Sequence, residues 1–260
     1  MAELITDDSV RVVYDVFDDD ADSITPNRPA VLLHHGFGAD ANINWVRPGV
    51  LDALIDDGRV VVTLDARGHG RSDKPADATR YGPVRMARDV SQLADHLGLD
   101  GYDMVGYSMG AIVAATAATE DRRVRRLVLG GIGGTSVDPE LRAARRESMS
   151  SLAEQLEAGN DTAMAQAAGG LFRTLASGDT QAHAALAAAA QAHGDADVVD
   201  GGAIVAPTLV LVGEADVLAE HPEVLAAAIP GATLVIVPGD HLGALARPEL
   251  RRALVDFLHD

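Results

Sequence analysis

The sequence predicts an α/β fold: a mostly parallel sheet with helices on both faces and an inserted helical cap. Two observations carry this. Short, continuous apolar runs of strand length alternate with longer stretches of helical period, the pattern of βα repeats around a buried parallel sheet. That rhythm stops after Gly134 and resumes near Thr208, with only helical patterns between. The expected division is a core domain of residues 1–134 and 200–260 and a helical cap over 135–199. A chain of 260 residues suits one such domain with an insertion.

The elements follow in order. Residues 10–17 alternate loosely and read as a strand. Asp18, Asp19, Asp20 and Asp22, with Pro26 and Pro29, form a solvated turn whose spacing matches no calcium loop. Residues 30–34 are a buried strand ending in His34-His35-Gly36-Phe37-Gly38. Residues 45–55 read as helix, with Pro48 near the first turn. Residues 60–64 are the next strand, closed by Asp65-Ala66-Arg67-Gly68-His69-Gly70-Arg71-Ser72-Asp73. Over 84–97 an amphipathic helix places Val84, Ala87, Val90, Leu93, Ala94 and Leu97 on one face. Residues 102–107 form a strand that runs into Gly106-Tyr107-Ser108-Met109-Gly110, and an Ala-rich helix leaves it. A strand over 124–129 ends the first series. The insertion holds helical patterns over 139–157, 162–175 and 180–193. The strand 208–212 then leads to Gly213-Glu214-Ala215-Asp216, helix 222–229 follows, and strand 233–237 leads to Pro238-Gly239-Asp240-His241. A helix over 247–258 closes the chain.

Composition narrows the function. Hydrophobic residues make up 47% and aromatics only 3%, so the core is built from Val, Leu, Ile and Ala. A net charge of −18 argues against nucleic acid and against an anionic membrane surface, and reads as solubility. The absence of cysteine excludes disulfides, thiolate catalysis and cysteine metal sites. MAELITDDSV lacks the basic and apolar regions of a signal peptide, and no apolar run has the length of a membrane span. The expectation is a cytoplasmic protein, monomer or homodimer, with no membrane or nucleic-acid partner.

The chemistry sits at the strand ends, where open parallel sheets bind ligands. Gly106–Gly110 is G-x-S-x-G between a strand and a helix, a nucleophile elbow. The turn is too sharp for side chains at both flanking positions, so both are glycine. Ser108 is the candidate nucleophile; its hydroxyl stands at a helix N-terminus that favours developing negative charge. A serine hydroxyl needs a base, and His241 is the candidate to take its proton and return it. Asp216 is the candidate to fix the imidazole tautomer. Asp240, Glu214 and Asp138 are rival acids; Asp240 is adjacent to the histidine, and adjacent side chains diverge. His69 is the rival base, while His34 and His35 read as supports for their loop. An oxyanion hole needs two backbone N–H groups: Met109 supplies one and Phe37, in the glycine-flanked loop, the other. Phe37 and Tyr107 are the expected substrate contacts. The sequence has no H-E-x-x-H, no P-loop and no G-x-G-x-x-G that opens a helix after the first strand.

Together, His-Gly-Phe-Gly, Asp-Ala-Arg-Gly-His-Gly-Arg-Ser-Asp, Gly-Tyr-Ser-Met-Gly, Gly-Glu-Ala-Asp and Gly-Asp-His resemble an α/β-hydrolase fold serine carboxylesterase. The resemblance spans about residues 10–258 and is loose only in the insertion. It implies an eight-stranded sheet, a helical cap and no cofactor. It supports Ser108, Asp216 and His241 as triad, in that family's chain order, with Phe37 and Met109 as oxyanion donors. Haloalkane dehalogenases and epoxide hydrolases carry aspartate where this chain has Ser108, so the serine branches remain. A small-molecule ester is the expected substrate. Lactones, carbon–carbon bonds of ring-cleavage products and peracid formation are the alternatives, with a receptor-like binding member behind them. Phe172 is the only aromatic in the Ala-rich insertion, which favours a short acyl chain. Arg142, Arg145, Arg146 and Arg173 there could meet an anionic substrate; a solvated helix face is the preferred reading.

Overall fold

The structure, a computed structural model of the chain, describes residues 1–18, 30–158 and 180–259. The expected helix over 162–175, with Phe172 and Arg173, and most of the acidic turn lie outside the described residues. Eight strands form one sheet: β1 Ala2–Ile5, β2 Arg11–Phe17, β3 Ala30–His34, β4 Val61–Asp65, β5 Tyr102–Tyr107, β6 Val124–Gly130, β7 Thr208–Gly213 and β8 Thr233–Val237. Their spatial order is β1-β2-β4-β3-β5-β6-β7-β8. The pairs β1/β2 and β2/β4 are antiparallel and all others parallel.

The continuous apolar runs have their physical cause here. Every residue of β3, β4, β5 and β7 is buried, because helices cover both faces of the parallel part. Leu32 and Leu33 illustrate it: both are fully buried, and they enter opposite cores. Each burial is worth about 2 kcal/mol relative to exposure. On the Leu32 face the sheet packs against α2 (Pro83–His96) and α3 (Met109–Glu120), through Val90, Leu93 and Ile112. On the Leu33 face it packs against α1 (Val50–Asp56) and the C-terminal helix Pro248–His259, through Leu51, Leu54, Leu250 and Leu254.

Three features depart from the sequence expectation. β1 is an extra strand, with Leu4 its one buried residue, too short to leave an apolar pattern. The expected helix over 45–55 is two pieces, a turn at Asn42–Val46 and then α1. Pro48 lacks an N–H and Gly49 takes a left-handed φ of 75°, which separates them. On α2, Val84 is 63% exposed, whereas Met86 and Asp89 are buried. Asp89 faces inward because it pairs with the fully buried Arg67, Nε to Oδ2 at 2.6 Å and Nη2 to Oδ1 at 2.7 Å.

Between β6 and β7 lie α4 (Pro139–Glu157) and α5 (Thr180–Asp195), packed on each other through Ala153, Leu156, Leu186 and Ala190. Arg142 is no part of a solvated face. It is buried, and its guanidinium donates to the carbonyls of His193 and Ala196. Arg146 donates to the Gly194 carbonyl at 3.2 Å. Both arginines therefore tie α4 to the C-terminal end of α5, where a helix presents unpaired carbonyls and partial negative charge. After β7 come α6 (Pro222–Ala228), β8 and α7 (Pro248–His259). Among the described residues no helix is long and apolar enough to cross a membrane.

Candidate active site

Ser108 joins β5 to α3 with φ 55° and ψ −118°, a conformation that costs a non-glycine residue about 1–3 kcal/mol. The flanking glycines are steric necessities. A Cβ on Gly106 would lie 2.2 Å from the Gly110 carbonyl oxygen, and one on Gly110 would lie 2.0 Å from that of His34. Strand, turn and helix thus close on each other, and Ser108 is left half-buried at the end of the sheet. Met109 opens α3, where a helix's first N–H groups have no partner within it.

The loop after β3 lies against this elbow. A Cβ on Gly36 would stand 3.2 Å from Ser108 Cβ, a contact tighter than ordinary packing, so glycine eases the approach. Gly36 N–H donates to Asn44 Oδ1 at 2.6 Å, and Ala41 N–H to Asp65 Oδ1 at 3.1 Å. His35 closes the loop. Its Nε2 accepts from Ala66 N–H at 2.9 Å, so its Nδ1 carries the proton and donates to the Gly36 carbonyl at 2.8 Å. Phe37 is half-buried, meets the His69 ring edge-on at 5.7 Å, and packs against the α4–α5 pair. A cavity of about 540 Å³ opens beside this loop, lined by Gly38, Asp40, His69, Arg71 and Leu186.

Asp216, after β7, and His241, after β8, are brought together. His241 Nδ1 lies 2.8 Å from Asp216 Oδ2 and 3.0 Å from Oδ1. The carboxylate is fully buried, while the imidazole keeps 15% exposure. Leu218 N–H also donates to Asp216 Oδ1, at 2.9 Å. Tyr107 sits beneath this pair, buried, and its hydroxyl donates to the His241 main-chain carbonyl. The Gly130–Gly131 turn joins the two halves: Ser108 N–H donates to the Gly130 carbonyl at 2.8 Å, and a Cβ on Gly131 would lie 3.1 Å from His241 Cε1.

The rival residues have other partners. Asp138 caps α4, accepting from Glu140 N–H at 2.8 Å and Leu141 N–H at 3.1 Å. Asp240 accepts from Gly243 N–H at 2.7 Å, and Glu214 is exposed. His69 is buried, with Nδ1 on the Arg67 carbonyl at 3.0 Å. Burial, then the neighbouring His35, pushes its pKa down to about 3. Asn44 and Asp65, which anchor the loop beside Ser108, were not legible as site residues. Their one trace is a polar side chain amid apolar neighbours, which any turn also shows. Among the described residues no group of three His, Asp or Glu side chains could hold a metal ion.

This sheet order with a serine elbow after its fifth strand defines a class. Residues 29–158 match the family model of the alpha/beta hydrolase fold, and the chain belongs to that family. An sn-1-specific diacylglycerol lipase of Danio rerio is 33% identical over 140 residues, 52% of this chain and 38% of the relative. An epoxide hydrolase of Caballeronia sordidicola is 39% identical over 90 residues, 35% of this chain and 26% of the relative. The matches thus span well under half the length of these curated relatives. A hydrolase from Pseudomonas aeruginosa shares the fold with a TM-score of 0.77 at 26% identity, covering 100% of this chain and 98% of that one.

Proposed function

We propose that the protein is a serine hydrolase of small carboxylic esters, acting through Ser108, His241 and Asp216. The observation that carries the reading is the pair of short contacts from His241 Nδ1 to both oxygens of buried Asp216, at the carboxyl ends of the parallel strands, where the strained Ser108 also stands. In this reading Ser108 Oγ attacks the acyl carbon while His241 Nε2 takes its proton. The Asp216 carboxylate holds the proton on Nδ1 and stabilises the imidazolium. The tetrahedral oxyanion is met by the Met109 and Phe37 N–H groups, held close by the Gly36 approach. His241 returns the proton to the leaving alcohol, and water clears the acyl-enzyme by the same relay.

Residues 135–199 serve as the cap in this reading, with Phe37 wedged between the core and α4–α5. The Ala-rich wall of α5 and the Phe37 ring favour a short acyl group. The epoxide hydrolase likeness does not carry its chemistry here, because opening an epoxide through an alkyl-enzyme needs a carboxylate where this chain has Ser108. The lipase likeness fits an ester bond.

Replacing Ser108 by alanine tests the assignment. Hydrolysis of p-nitrophenyl acetate should fall by at least about 10³-fold with the far-UV circular dichroism unchanged. Turnover near wild type in that variant would overturn it. A chain-length series of p-nitrophenyl esters beside a lactone then reads the acyl preference.

A further inference from the structure

We propose that Tyr107 is a positioning residue: its phenol hydroxyl fixes the main chain of His241, and thereby where the imidazole stands relative to Ser108. The proposal rests on the serine hydrolase reading of the same site. It also replaces the sequence expectation of Tyr107 as a substrate contact.

Tyr107 ends β5 and directly precedes Ser108. The residue is 3% exposed, so it offers substrate almost no surface. It runs instead past Gly130 and Gly131 at the end of β6, and its hydroxyl donates to the His241 carbonyl oxygen. The two rings lie 5.3 Å apart at 47°. The path is built for this ring. A Cβ on Gly130 would meet Tyr107 Cδ2 at 2.6 Å, and one on Gly131, whose φ is 64°, would meet Cζ at 2.8 Å. Only glycines let the phenol through.

The remaining ties of the His241 loop act on its shoulders. Ala215 N–H donates to the Gly239 carbonyl at 3.0 Å, Ala244 N–H to that of Asp240 at 3.0 Å, and Gly243 N–H to Asp240 Oδ1 at 2.7 Å. Asp216 fixes the imidazole's tautomer and rotation through Nδ1, and that leaves the placement of the backbone beneath it. The Tyr107 hydroxyl reaches that backbone from the residue next to the nucleophile. One side chain therefore sets the relation of base to nucleophile, and a misplacement of about 1 Å costs such a site about 10²-fold. Burial, then the Asp216 and Asp240 charges, raises the phenol's pKa, so it remains a hydrogen-bond donor throughout the working range.

The test is Tyr107→Phe, which keeps the ring and removes the donor. Expected are a kcat on p-nitrophenyl acetate lower by about 10- to 100-fold, KM within about twofold, and fluorophosphonate labelling of Ser108 slowed by the same factor as kcat. A kcat within about twofold of wild type overturns the proposal, as does a raised KM with kcat unchanged, the signature of a substrate contact. Gly130→Ala is the second variant: it displaces the ring without substituting any triad residue, and it should show the same split between kcat and KM. Ser108→Ala, assayed alongside, separates the failures. If it is inactive and both other variants match wild type, only the role of Tyr107 falls; if it is active, the serine reading falls.

Discussion

Two loops at the carboxyl ends of strands each carry a histidine, and they differ in what faces Nδ1. His69 follows β4 and sets its Nδ1 on the Arg67 carbonyl at 3.0 Å. His241 follows β8 and sets its Nδ1 on the Asp216 carboxylate at 2.8 Å. A carbonyl can fix a tautomer, but a carboxylate also carries the charge that stabilises, far more strongly, the imidazolium that proton transfer creates. Exposure divides them the same way: the His241 side chain keeps 15%, while His69 is 2% exposed among Phe37 and His35. His69 is a neutral wedge under the loop beside Ser108, and His241, on its carboxylate, is the base in the proposed reading.

The strongest way to break this comparison is to neutralise the carboxylate. Asp216→Asn should lower kcat about 10⁴-fold by setting the wrong tautomer on His241. His69→Gln, which keeps a donor and an acceptor in a similar volume, should leave kcat within about fivefold. Steady-state kinetics on p-nitrophenyl acetate decide it, and the reverse ranking would move the base to His69.

A second experiment sharpens the contrast through stability. Burial first, then the neighbouring His35, lowers the pKa of His34 and of His69 to about 3. Their unfolded value is near 6.5, so between the two values the unfolded chain binds more protons. Their stabilisation is complete above pH 6.5 and is lost as pH falls toward 3. Each buried ring contributes a slope of about 1.4 kcal/mol per pH unit. The salt-bridged Asp8, Asp15 and Asp65, lowered from their ordinary value, act only below about pH 4, and Asp89 and Asp103, which burial raises, contribute equally to wild type and variant. Urea unfolding of His69→Gln at pH 6, 5 and 4 should therefore show a shallower decline than wild type, by about that slope. An unchanged slope would mean that the ring is not held neutral by burial.

What could be read from the sequence follows the range of the forces involved. The elbow was legible because its demand is local: Gly106 and Gly110 each avoid a clash with backbone a few residues or one strand away. Strand and helix order was legible because burial on both faces writes continuous apolar runs, as in β3 and β7. The pairing of His241 with Asp216 could be framed as a candidate from chain order alone, but Asp138 and Asp240 stood open beside it. The hydroxyl of Tyr107 reaching the carbonyl of His241, and Arg142 reaching the end of α5, left no trace. Both are polar contacts across long sequence separations, set by tertiary packing, and no period or motif encodes them. The inward turn of Asp89 is a similar case: its ion pair with Arg67 overrode the apolar arc that suggested Val84.

The smallest expected effect concerns the two acids that follow strands on either side of the insertion. Asp138 and Asp216 both accept backbone N–H groups two residues on, so each resembles a turn cap. The difference is the second oxygen. Asp138 uses one oxygen for both amides of the first turn of α4. Asp216 gives one oxygen to Leu218 and turns both toward His241. A cap alone is worth about 1 kcal/mol. Asp138→Ala should therefore lower unfolding free energy by about 1 kcal/mol in urea titration and change kcat less than about twofold. A large kcat loss with little change in stability would instead make Asp138 the partner of the base, and Asp216 would keep only its turn.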